Sequence, residues 1–234
     1  METLMAKGKA GESNPYTGLG LDESGNWLPG SPRVLSLLSS VLERSVRGNE
    51  KLLAGSKIKD VITIFHGSRA PSLNLRQYVE RIFKYCKCSN SCFVVAVIYI
   101  DRFLQRMDAY LTSLSVHRLL ITSVMVAAKF MDDHVELCLP NDLDGVCRHY
   151  NNAYYARVGG ISREEMNRLE MRFLFDLDFR LHVTTEVFNK YWLMIQQEGG
   201  LETQTALQTQ GYCLKKDETG RGRRLTGVQR GRAL

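Results

Sequence analysis

Most of the patterns that would assign a chemistry are missing from this 234-residue protein. No apolar run reaches the ~20 residues needed to cross a bilayer. The N-terminus lacks the order of charged, apolar and small residues that marks a signal peptide, so a soluble, intracellular protein is expected. The six cysteines form no CxxC pair and meet no HxxxH partner, which sets aside a four-ligand zinc site. Cys86, Cys88 and Cys92 form a CKC…C group on or near two helices; buried or partly buried thiols in a reducing compartment fit them better than a metal or a disulfide scaffold. Asp142, Asp144 and Gly145 resemble part of a calcium loop, but the twelfth position is Ala153 rather than Glu. There is no P-loop, no kinase glycine loop and no GxSxG, and nothing places Cys and His as a catalytic pair. The protein is expected to be no enzyme and to hold no cofactor or metal.

Net positive charge is scarce outside the C-terminal end. Of the net +6, residues 214–234 supply +5, from seven basic side chains (Lys215, Lys216, Arg221, Arg223, Arg224, Arg230, Arg232) and two acids (Asp217, Glu218); the rest carries +1. A near-neutral body offers no general basic face to nucleic acid. Nucleic-acid binding is expected only through the Gly- and Arg-rich tail, residues 201–234, which reads as disordered. Residues 1–31, rich in Gly, Ser, Asn and Pro, read as a flexible leader. The folded domain is assigned to residues 32–200.

What is present is a set of apolar stretches at helical spacing. The segment SCFVVAVIYIDRFLQR (91–106) is apolar on every side from Phe93 to Ile100. A helix of that kind must be surrounded by other elements. Its Val and Ile content also fits a buried strand, but its length and the N-cap candidates Ser89, Asn90 and Ser91 favour a helix. Asp101 and Arg102 interrupt it as a structural pair or a cap. Upstream, Ser31 as N-cap and Pro32 at the first helical position open an amphipathic helix, SPRVLSLLSSVLERSV, with Val34, Leu37, Leu38, Val41 and Leu42 on one face. VITIF (61–65), with no partner strand elsewhere, reads as an extended docking segment. PSLNLRQYVERIFKYCKCS (71–89) is the next helix, with Leu75, Tyr78, Val79, Ile82 and Phe83 inward.

Residues 114–133 form another apolar helix, capped by Ser115 or Ser113. Lys129 near its C-terminus suits the macrodipole; Asp132 and Asp133 belong just past the end. Residues 134–149 break the pattern as a long loop, and residues 151–160 form a short helix. In the helix of residues 161–181, Ser162 and Glu165 fit a capping box and Ile161 with Met166 a hydrophobic staple. A last helix starts at Thr184 and ends at Gly199-Gly200. These elements describe an all-α domain.

Taken together, YIDRFLQR (99–106), MVAAKFMDD (125–133) and the GGIS…LE pattern of residues 159–170 resemble a cyclin box. The longer strings FHG (65–67), ERIFKY (80–85), SCFVVA (91–96), HRLLITSVMVAAKF (117–130) and YNNAYYARVGGIS (150–162) resemble the plant P-type, or U-type, cyclins. The resemblance covers residues 31–197 apart from the loop. It implies a single cyclin-box domain acting as a regulatory subunit of a cyclin-dependent protein kinase in the nucleus or cytoplasm. It further implies an A-type kinase with a PSTAIRE-like helix, and links to cell division or phosphate-responsive signalling. In cyclins the Lys of the KF motif and the Glu of the LE motif contact the kinase. Here those are Lys129 and Glu170, with Phe130 and Met166 assigned to the same site.

Three departures qualify what carries over. The Arg that pairs with the Asp of DRF in many cyclins is replaced by Ser72. PSLNL (71–75) stands where cell-cycle cyclins have a methionine-rich substrate-docking motif. Related sequences run almost directly from KFMDD to YYNNAYYA, whereas residues 134–149 intervene here. That insertion, and the tail after Gly211, read as a variant with retained non-coding sequence, close enough to Lys129 to obstruct a kinase. The competing reading is a cyclin-fold adaptor in transcription or nucleic-acid complexes that uses the basic tail.

Overall fold

Helix starts in this protein are written locally, and the computed structural model uses most of them. It describes residues 33–56, 59–86, 88–131 and 151–200. The leader, the inserted loop and the tail lie outside them, as do the Ser31 cap, Asp132 and Asp133. The described residues form seven helices and no strand: α1 (Arg33–Gly55), α2 (Leu75–Cys86), α3 (Asn90–Met107), α4 (Val116–Met131), α5 (Asn152–Gly159), α6 (Arg163–Asp176) and α7 (Thr185–Gly200).

The segment that is apolar on every side is a helix, and it is the hub. Every residue of α3 from Phe93 to Ile100 is between 0% and 2% exposed. Its largest packing partner is α4, and α1, α6 and α7 cover its other sides. The strand alternative fails because a helix satisfies its own backbone groups and can be enclosed on all sides by side chains. Beneath the hub, Phe65 reaches in from the link between α1 and α2. It lies edge-on to Phe103 at 4.9 Å and to Phe173 at 5.8 Å.

Several caps act as their residue types require. Ser162 accepts the Glu165 amide at 3.1 Å, and Asn151 accepts that of Tyr154. Thr184 Oγ1 accepts the Val187 amide, and Ser115 gives its carbonyl to the Leu119 amide at the start of α4. The capping box at α6 is only half used: the Glu165 carboxylate turns to Arg118 on α4, 2.6 Å away. It thereby exchanges a local bond for a tie between helices.

Three boundaries differ from the sequence reading. α1 continues through Gly55, past the expected end near Val46, because tertiary partners hold its polar last turns. Asn49 donates to the Leu111 carbonyl at 3.0 Å, and Glu50 accepts the Ser113 amide at 2.9 Å. α2 begins at Leu75 rather than Pro71, where Asn74 accepts the Gln77 amide at 2.8 Å. α6 stops at Asp176, not Leu181, because Asp178 and Phe179 take left-handed backbone angles (φ 55° each) that no right-handed helix continues through. Cys86, Cys88 and Cys92 are buried, reduced thiols; burial pushes the Cys86 thiol up to about 12, far from nucleophilic at neutral pH.

Asp101 and Arg102 do not pair with each other. Arg102 donates to the Arg180 and His182 carbonyls, pinning the link between α6 and α7. Asp101, 5% exposed, accepts from Gln105 at 2.8 Å and from the Tyr191 hydroxyl of α7. Ser72 is exposed and takes no part; Tyr191 stands in for the missing Arg. A phenol supplies a hydrogen bond without a compensating charge, so burial raises the Asp101 pKa above the ordinary aspartate range, with Tyr191 and Gln105 opposing. Because the folded pKa is raised, this group's contribution to stability is full below about pH 4 and is lost as pH rises through the folded value. Asp101→Asn keeps an acceptor and cannot ionise. Urea midpoints measured from about pH 4 to pH 7 should therefore fall less steeply in Asp101→Asn than in the parent protein. Equal slopes would show that Asp101 is not the group responsible.

Candidate functional site

The end of one helix, the start of a second and the middle of a third meet at one polar cluster. α4 brings Lys129 in its last turn, α5 brings its first residue, Asn152, and α6 brings Asn167 and Glu170 one turn apart. The Lys129 ammonium donates to Glu170 Oε1 at 2.6 Å and to Asn152 Oδ1 at 2.5 Å. The Asn152 amide nitrogen donates to Glu170 Oε2 and, at 2.8 Å, to Asn167 Oδ1. The Lys129 side chain is 34% exposed and that of Glu170 16%, so the pair sits at the surface with its carboxylate sunk below it.

An exposed apolar surface begins one residue past Lys129. Phe130 and Met131, next to Lys129, are exposed at 49% and 37%. They form one wall of an open groove of about 430 Å³, whose other lining includes Val95 and Tyr99 of α3, Leu181, and Phe188 of α7. At the far end of α6, Phe175 and Phe179 are exposed and lie edge to face at 5.3 Å. Exposed aromatics and a half-buried charge pair supply what a docking surface requires: apolar area to remove from water, and directed polar groups to set the register.

Of the residues assigned to the site from sequence, the structure brings Lys129 and Glu170 into direct contact and leaves Phe130 exposed on the surface. Met166 is different. It is 0% exposed, inside the same core cluster as Leu169 and Phe173, so it supports the site from below and offers a partner no surface. Asn152 and Asn167 are absent from the sequence assignment. The signal available was the Asn151-Asn152 doublet at a helix start: one Asn is sufficient for the cap, leaving the second for a tertiary role.

The cyclin family model matches residues 33–181. The chain belongs to the cyclin family. This cyclin is 58% identical over 167 residues to Cyclin-P3-1 of Oryza sativa subsp. japonica, a match covering 71% of the chain and 65% of that relative, slightly under two thirds of its length. It is 44% identical over 210 residues to Cyclin-U3-1 of Arabidopsis thaliana, covering 89% of the chain and 88% of the relative. Against Cyclin-U4-1 of the same plant it is 47% identical over 167 residues, covering 71% and 76%. The matches place it with the plant P- and U-type cyclins. Cyclins are regulatory, non-enzymatic subunits that bind cyclin-dependent kinases. The family match ends before α7, yet Tyr191 of that helix satisfies Asp101 of the cyclin's DRF motif. Among the described residues, no helix is long and apolar enough to cross a membrane.

Proposed function

We propose that this cyclin binds an A-type cyclin-dependent protein kinase through the Lys129–Glu170 face and activates it, in cell-cycle or phosphate-responsive signalling. The observation that carries this reading is the direct contact of Lys129 with Glu170, with Phe130 and Met131 exposed immediately after Lys129 in the chain. A partly buried ion pair adds little net stability by itself, since desolvation offsets its attraction. At an interface the same groups fix register and exclude wrong partners. The groove between α3, α4 and α7 supplies the apolar burial that holds a kinase's regulatory helix inward. That helix carries the Glu that must pair with the ATP-positioning Lys. Activation is a population shift: the cyclin binds the active arrangement more tightly and so raises its share.

The test titrates an A-type cyclin-dependent kinase with the full-length protein and with a form lacking residues 134–149. Saturable binding and raised kinase activity with both forms support the proposal and make the insertion tolerated. Binding by the shortened form alone supports the docking face and makes the insertion obstructive. If both forms are folded and neither binds any cyclin-dependent kinase tested, the proposal fails.

A further inference from the structure

We infer that Asn152 is the positioning residue that locks Lys129 and Glu170 into one rigid clamp, and that partner recognition at this face depends on it. This rests on the docking reading above. The amide of Asn152 uses its oxygen on the Lys129 ammonium, and its nitrogen donates to the Glu170 carboxylate and to Asn167 Oδ1. Only one orientation works. A flipped amide would set its NH2 against the ammonium and its oxygen against two acceptor oxygens. The side chain is not needed to start the helix, because Asn151 caps α5. Its three partners lie on α4 and α6, so it joins three helices at a single point.

The consequence follows from counting donors and acceptors. An ammonium has three hydrogens, and two of those on Lys129 are engaged by described residues; among the described residues nothing takes the third. Each oxygen of Glu170 takes one of these bonds and, among the described residues, keeps a lone-pair direction open. The clamp therefore shows a partner one donor and an adjacent acceptor at fixed spacing, which suits the backbone carbonyl and amide groups of an exposed peptide segment. A lysine is rich in rotamers, and ordering it at the moment of binding costs affinity. With Asn152 in place, that ordering exists before the partner arrives. Without it, Lys129 pivots on one contact and Glu170 loses a donor.

The experiment measures the affinity of the full-length protein for an A-type cyclin-dependent kinase in six forms: unaltered, Lys129→Ala, Glu170→Ala, Asn152→Ala, Asn152→Asp and the Asn152→Ala/Glu170→Ala double variant. Asn152→Ala is expected to weaken binding about tenfold, the size of one or two side chains left to be ordered. Helix content should hold, because Asn151 remains, and the thermal midpoint should fall only by the few degrees that the lost bonds between helices are worth. In the Glu170→Ala background, Asn152→Ala should cost less than it does alone, since only Lys129 is left to position. Asn152→Asp, equal in shape but without the NH2, should also weaken binding. A kinase-free readout is the ¹⁵N signal of the Lys129 ammonium, sharp in the unaltered protein and lost to exchange in Asn152→Ala. Binding unchanged by Asn152→Ala, additive losses, or an unchanged ammonium signal each overturns the inference. If Lys129→Ala weakens binding while Asn152→Ala does not, only the role of Asn152 falls. If the unaltered protein binds no kinase, the docking reading and the recognition role fall together.

Discussion

Phe65→Ala should cost this cyclin about 3–5 kcal/mol of stability, from a total that in single domains is about 5–15 kcal/mol. Phe65 is 0% exposed although it belongs to no helix. It is the peg that fixes the link between α1 and α2 to the hub, touching Phe103 of α3 and Phe173 of α6, whose rings are themselves 5.6 Å apart. Removing it takes one ring from a three-ring cluster and leaves a void bounded by two helices. The void cannot easily collapse, because polar bonds hold the link on both sides. Asp60 accepts from the Tyr110 amide at 3.0 Å and meets His66 Nε2 at 3.1 Å, and the Gly67 amide donates to the Leu114 carbonyl at 2.8 Å. Phe65→Leu keeps most of the volume and should cost about 1.5 kcal/mol or less. Urea denaturation of both variants gives the answer. A Phe65→Ala midpoint close to that of the parent protein would mean that this segment is not part of the cooperative core.

Lys129→Glu should abolish kinase binding, with a loss of about 100-fold or more, while the protein stays folded. The substitution brings a second carboxylate against Glu170 Oε1, in the place of an ammonium 2.6 Å away, and against the Asn152 oxygen. Three acceptor oxygens then face one another, and one carboxyl must take up a proton or swing out. The cost to folding is about 1–3 kcal/mol for the stranded Glu170 carboxylate, reduced because the Lys129 side chain is itself 34% exposed and water can screen the site. The cost to binding is larger, because a partner removes that water. Calorimetric titration of an A-type cyclin-dependent kinase with the variant checks it, alongside circular dichroism to establish folding. Affinity within about threefold of the parent would remove Lys129 from the interface.

Both effects stem from residues that differ in how openly the sequence displays them. Phe65 closes the run VITIF, which has the composition of a strand. Yet Val61, Ile62 and Ile64 remain exposed at 39%, 76% and 50%, and only Phe65 is buried. An extended docking segment describes the run well, but composition does not say which residue docks. Lys129 taken alone is an ordinary lysine at a helix end. It gains meaning from the KF motif, and the structure adds that Glu170, far off in sequence, is in direct contact with it. Met166 shows the opposite case: its spacing places it on the inner face of α6, and that spacing describes it better than its assignment to the docking surface.

Local chemistry along the sequence is enough to set the all-α class, the burial of α3 on every side, and the starts of α5, α6 and α7 at Asn151, Ser162 and Thr184. These follow from interactions within a turn or two of helix: apolar periodicity, and a side-chain oxygen meeting an amide three residues on. The rest came from the packing of whole helices. Packing set the length of α1, the choice of Tyr191 as partner for Asp101 across 90 positions, and the meeting of Lys129 with Asn152 and Glu170 across 23 and 41 positions. Those pairings depend on where each helix comes to rest. Helix placement is settled by many apolar side chains packing together, so no short stretch of sequence contains it.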